Sequence, residues 1–227
     1  GDHSLPSEHR LKAERLYNRI PFSDLLYKIN LTVGLVLLIL HLIRLLHKAT
    51  LTERKDRCLQ HAATGVLLFS FLALTACLML RGIISQRIPM GNGYETMLVL
   101  AWCVQLITLL VIKRLPFLLS FGFLLAGFFL LVSSIGQMDP QITPLVPVLS
   151  SPLLSLHVSL IMMAYALFAF TFLCGIVALT LQFFRPTQPL HAEHIQALHV
   201  ISRLFLYPAL ALLGIGIFVG AIWANIS

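Results

Sequence analysis

Long stretches of this chain carry no charged side chain, and its polar residues gather in short intervals between them. Residues 62–80, 115–138, 157–184 and 204–227 contain no Lys, Arg, Asp or Glu. A shorter run, 96–112, follows Glu95, and another, 29–43, ends at Arg44. A helix needs roughly 20 mainly apolar residues to cross a bilayer, where the backbone must satisfy its own hydrogen bonds. The pattern predicts an all-α fold: a polytopic transmembrane bundle of about six spanning helices. Residues 1–28 read as an external juxtamembrane segment and 29–227 as one membrane domain. In the first of these, Leu11, Leu16, Tyr17 and Ile20 recur near helical spacing until Pro21 interrupts them. That predicts a short helix lying on the membrane surface.

Composition agrees: 58% of the 227 residues are hydrophobic and 11% charged, where soluble domains carry about 25% charged. The net charge of +7 does not point to nucleic acid, because the basic residues sit at helix ends. Arg44, Lys48, Arg54, Lys55, Arg57, Lys113, Arg114, Arg185 and Arg203 fall on one side of the predicted membrane, against Arg81 and Arg87 on the other; the N-terminal tail adds five basic residues, nearly balanced by Asp2, Glu8, Glu14 and Asp24. The richer side is cytoplasmic by the positive-inside rule. The N-terminal tail, residues 81–95, 136–156 and the C-terminal end are then external. No signal peptide is visible, and both ends read as cut from a longer chain. Cys58, Cys77, Cys103 and Cys174 form no C-x-x-C pair, and a lone Cys inside a span behaves as a small apolar residue.

The interval 136–156 is apolar yet holds Pro140, Pro144, Pro147 and Pro152. Proline at that density excludes a continuous helix, so the segment is expected to lie along the external surface as a cover. The interval 185–203 is polar, and is expected to end in an amphipathic helix entering the last span.

Histidine is the residue type with the most chemical reach, since neutral imidazole ligates metals and haem. His157 stands where the proline-rich interval turns into a 28-residue run free of charge, 157–184. That position suits an axial haem ligand, and equally a structural His bonded to a loop carbonyl. His41 lies within the first span, where an ionisable group is costly and often functional. His191, His194 and His199 are spaced only loosely for one helix face with no Cys near, and a polar loop helix accounts for them better than a metal does. Glu95 can cap the helix it opens and favour its dipole. Trp102 and Trp223 read as packing and interfacial anchors. No nucleophile–base pair is visible, so no catalytic residue is assigned.

Several motifs in order resemble one family. Pro89-Met-Gly-Asn92-Gly-Tyr94-Glu95-Thr-Met looks like the P-x-x-N-x-Y-E-S motif that opens a span in CcsA/ResC-type cytochrome c biogenesis proteins, with Arg81 similarly placed. Met138-Asp139-Pro140, then Leu145-Val146-Pro147, then Leu156-His157-Val158 resemble the external segment that ends in the family's first external histidine. Gly220-Ala221-Ile222-Trp223 resembles the approach to its tryptophan-rich haem-binding segment. The segment Ala13–Asn18 looks like the junction of a fused form in which a ResB/CcsB-like part precedes the CcsA-like part.

The resemblance implies haem as cofactor, transported across the bacterial inner membrane and presented to apocytochrome c outside the cytoplasm. It implies His157 as an axial ligand to the haem iron, Trp223 as the start of the aromatic platform, and Asn92, Tyr94, Glu95, Asp139 and Pro140 as family motif residues. The family's WDPKE-like loop and second external histidine are not among residues 1–227. The implied partners are a ResB/CcsB-like part, fused or separate, apocytochrome c and membrane lipid. The competing readings are a secondary transporter, a b-type haem electron carrier and a membrane scaffold without haem.

Overall fold

In a computed structural model of the chain, the described residues are 8–47, 53–113, 116, 118–135, 141–142, 151–184 and 189–226. They form seven α-helices and no strand: α1 (Glu8–Arg19), α2 (Phe22–His47), α3 (Glu53–Ser85), α4 (Gly93–Val111), α5 (Leu118–Ile135), α6 (Pro152–Phe184) and α7 (Pro189–Ile226). Five helices contain segments long and apolar enough to cross a membrane: Phe22–His41, Lys55–Ser85, Gly93–Val111, Leu156–Leu179 and Leu198–Ile226. The shorter apolar helix Leu118–Ser134 makes a sixth. At a rise of about 1.5 Å per residue it also comes close to the thickness of the hydrocarbon core. The protein is an all-α, multi-pass membrane protein.

Helix ends run further into the polar intervals than the charge-free runs suggest. The first span begins at Phe22 rather than at 29, directly after the Pro21 break. Helix α3 takes in Lys55 and Arg57 at one end and Arg81 near the other, so Arg81 belongs to a helix and not to a loop. Arg203 likewise lies within α7, which is continuous from Pro189. Long basic side chains such as the exposed Lys55, Arg57 and Arg203 extend along a helix to reach polar surroundings, whereas Arg81 is fully buried, so charge near a span end does not mark where the helix stops. Of the proline-rich interval only residues 141–142 and 151–156 are described. Asp139, Pro140 and most of the expected cover lie outside the described residues.

The chain divides into two compact units, residues 1–150 and 151–227. In the first, Ala63, Leu67, Leu119 and Phe123 form a core cluster with Val33, Leu37, Val66, Leu109 and Ile112 against it, joining α2 to α5. Asn30, Ser70 and Gln105, all fully buried, tie three spans together. Asn30 Nδ2 donates to Ser70 Oγ (2.7 Å), and Gln105 Nε2 donates to Ser70 Oγ (2.9 Å) and Asn30 Oδ1 (3.2 Å). Such interhelical bonds act as polar fasteners where lipid offers no partner.

Helices α2 and α5 approach closely at Gly34 and Gly127. A Cβ at Gly34 would lie 2.9 Å from the backbone N of Leu124, and one at Gly127 2.9 Å from the backbone N of Leu31. Gly34→Ala is therefore expected to destabilise by about 1–3 kcal/mol, the usual cost of overpacking. Gly65→Ala, with nothing within 4 Å of the new carbon, serves as the control in thermal unfolding of the purified protein. Equal loss from both substitutions would contradict the close crossing.

The second unit is the antiparallel pair α6 and α7. Helix α6 opens with Pro152, whose fixed φ and missing N–H suit a first turn. On α7, Leu198, Ile201, Phe205, Ala209 and Gly216 are buried, at spacings of three, four and seven. Trp223 continues that seam, half-buried between exposed Ile222 and Ala224. The rings of Phe170 and Phe205 meet with centroids 5.4 Å apart in mid-pair.

Candidate functional site

Among the described residues, two clusters gather the motif residues and the candidate ligand. The first surrounds the start of α4. Asn92 is its N-cap, in extended conformation, and its Oδ1 accepts from the N–H of Glu95 at 2.9 Å. This is the capping expected of Asn three residues before Glu. The Glu95 carboxylate is not spent on the helix dipole. It is fully buried, and Oε1 accepts from Arg81 Nε (3.2 Å) and Nη2 (3.0 Å), with Arg81 also fully buried. Oε2 accepts from Arg87 Nη1 (2.9 Å) and from the backbone N–H of Gly91 (2.7 Å).

Arg81 uses its third nitrogen, Nη1, to donate to the Tyr17 hydroxyl at 2.7 Å. Its guanidinium also lies 4.9 Å from the ring centre of Tyr94, within the range of a cation–π contact. Burial pushes the Tyr17 phenol well above its ordinary range, with Tyr94 adding to the shift and Arg81 opposing it. The phenol stays neutral and can accept from Arg81. Tyr94 donates to Ser23 Oγ at 3.1 Å. The motif residues Asn92, Tyr94 and Glu95 are thus brought together with Arg81, and through Tyr17 they fasten α1 to α3 and α4. Sequence reasoning read Glu95 as a cap and missed Tyr17 and Arg87. The usable signal was a pair of arginines facing one acid across a short turn, at 81, 87 and 95.

The second cluster is in the α6–α7 pair. His157, half-buried, has Nδ1 2.6 Å from the backbone oxygen of Gly216. A carbonyl oxygen only accepts, so Nδ1 carries the proton, and in neutral imidazole Nε2 keeps its lone pair. Histidines that bind metals commonly donate their second ring N–H in this way, which fixes tautomer and orientation. The ring lies against Gly220, where a Cβ would sit 2.6 Å from both Cε1 and Nδ1. Trp223 is one turn beyond Gly220 on the same seam of α7. No nitrogen donor other than His157 was expected here, and the partnership with Gly216 was not legible without the pairing register of the two helices.

His41 is exposed and lines a cavity of about 100 Å³ with Asp56, Gln60 and Ser120. That is well below the roughly 300–1,000 Å³ of small-molecule sites. His199 is exposed on α7, and the side chains of His191 and His194 lie outside the described residues. Among the described residues no three His, Cys, Asp or Glu side chains gather as a metal site.

The family profile of the cytochrome C assembly protein matches residues 90–227, which include both Glu95 and His157. The chain belongs to that family. Protein NrfI of Wolinella succinogenes is 37% identical over 229 residues, covering all of this chain and 25% of its own length. Cytochrome c biogenesis protein CcsA of Chlamydomonas reinhardtii is 33% identical over 165 residues, 69% of this chain and 46% of its own. That of Mesostigma viride is 34% identical over 118 residues, 49% of this chain and 38% of its own. The chain thus spans between a quarter and a half of these relatives.

Proposed function

We propose that this chain forms part of a haem-handling module of cytochrome c biogenesis, in which His157 is one axial ligand to haem iron. The observation that carries this reading is the bond from His157 Nδ1 to the Gly216 carbonyl at 2.6 Å, which leaves Nε2 as the free donor. The residues present fit one side of a haem site: an oriented imidazole on an apolar helix pair, with the Trp223 indole one turn further along the same seam. Haem supplies the vinyl groups to which apocytochrome thiols add, and the iron that must stay reduced. His157 and Trp223 would hold and orient the macrocycle, and the apolar surfaces of α6 and α7 would exclude water. The work is positioning more than acid–base chemistry.

The module sits in a bacterial inner membrane with the His157 end of α6 outside the cytoplasm. The excess of basic residues at the opposite helix ends supports that orientation. Its partners are apocytochrome c and a ResB/CcsB-like part, fused or separate. The experiment is His157→Ala in the full-length protein, read as formation of c-type cytochromes in cells. The expected result is loss of covalent haem in the recipient cytochrome while the membrane protein still accumulates. Undiminished maturation would overturn the ligand assignment.

A further inference from the structure

We propose that Gly216 and Gly220 are positioning residues for His157, one supplying the acceptor that fixes its tautomer and the other the space its ring needs. The inference rests on the haem reading above for its purpose, though not for its geometry. In an α-helix the carbonyl of residue i points along the axis toward residue i+4. A side chain from a neighbouring helix that reaches the Gly216 oxygen must therefore lie over position 220. At 2.6 Å from Nδ1 and Cε1, and 3.2 Å from Cγ, a Cβ at 220 would occupy the space of the His157 ring itself. The carbonyl has two lone pairs, so it can serve the helix and the imidazole together. One turn of α7 thus provides both the acceptor and the absence of a side chain.

Position 216 adds a second constraint. A Cβ there would lie 2.8 Å from Cδ1 of Ile161, the movable end of that side chain, and 3.3 Å from Cβ of Leu160, so the facing side chains would have to give where the two helices meet. Other glycines in the pair behave differently: at Gly175 and Gly214 an added Cβ meets nothing within 4 Å. The glycine requirement therefore concentrates at the turn facing His157. With Nδ1–H committed to Gly216, the nitrogen presented for ligation is Nε2.

The test uses full-length protein, haem-free and labelled with ¹⁵N-histidine, in lipid nanodiscs. His157 resonances are assigned by their disappearance in His157→Gln. The expected spectrum has a protonated Nδ1 and an unprotonated Nε2 for His157. Gly220→Ala is expected to shift it toward the other tautomer or a mixture, and Gly214→Ala to leave it unchanged. An unprotonated Nδ1 in the unsubstituted protein would overturn the proposal even if Gly220→Ala failed to fold. So would an unaltered spectrum in a folded Gly220→Ala protein. Haem retention is the second readout, expected to weaken about 10–100-fold in Gly220→Ala, as for other outer-shell partners of ligating histidines. If His157→Ala loses haem and folded Gly220→Ala does not, the positioning role fails alone. If His157→Ala retains haem while Gly220→Ala changes the tautomer, the haem reading fails and the cradle stands.

Discussion

Replacing Glu95 with alanine is expected to be the most destabilising single change in the first unit. The carboxylate is fully buried and takes charged bonds from Arg81 and Arg87 and a backbone bond from Gly91. Its removal leaves the Arg81 guanidinium buried without its counter-charge, which costs about 3–5 kcal/mol when one partner of a buried pair is lost. Arg87 can turn outward, since its side chain is 12% exposed, whereas Arg81 has no exposure. Arg81→Met with Glu95→Leu removes both charges and is expected to recover most of the loss, because apolar replacements of a buried pair are often neutral. Thermal unfolding of the unsubstituted protein, Arg81→Met, Glu95→Leu and the double variant measures the coupling. Additive losses would show that the two side chains do not depend on one another. Because Arg81 also bonds Tyr17, its loss is further expected to expose α1 to proteolysis in the folded protein.

His157→Ala is expected to give the largest functional effect with little change in stability. A ligating imidazole contributes more than its outer-shell partners, whose loss alone costs 10–100-fold in affinity, so haem retention should fall by about 100-fold or more. Trp223→Ala removes a flanking aromatic surface and no donor atom. It is expected to weaken retention less, by about tenfold, in line with the roughly 0.5–1.5 kcal/mol of an aromatic contact beyond its buried area. Haem absorbance of each purified full-length protein, scaled to protein, checks the order. Equal losses, or a larger one at Trp223, would place the principal haem contact elsewhere.

The spans were legible because burial in lipid demands continuous apolar runs, and such runs are visible in any register. Helix boundaries were less so, since Arg81 can lie inside α3 only because Glu95, on another helix, neutralises it. That partnership is a long-range fact with no periodic signature. Asn92 was recognisable within a known motif, because capping is a local relation between a side chain and an N–H three residues on. Glu95 was read with the same local logic, and its carboxylate instead answers to Arg81, Arg87 and Gly91. His157 stood out by position, at the turn from a proline-rich interval into an apolar run. Its bond to Gly216 depends on how α6 and α7 register against each other. Small residues at 216 and 220 acquire meaning only once the ring that fills their place is known.

The most direct test of the account is the optical spectrum of full-length His157→Gly with bound haem, recorded with and without added imidazole. Little haem is expected in the substituted protein. Imidazole should then restore both the haem and a spectrum of imidazole-ligated iron like that of the unsubstituted protein. Full haem occupancy with an unchanged spectrum before imidazole is added would contradict it, and would make His157 a structural histidine joining two helices.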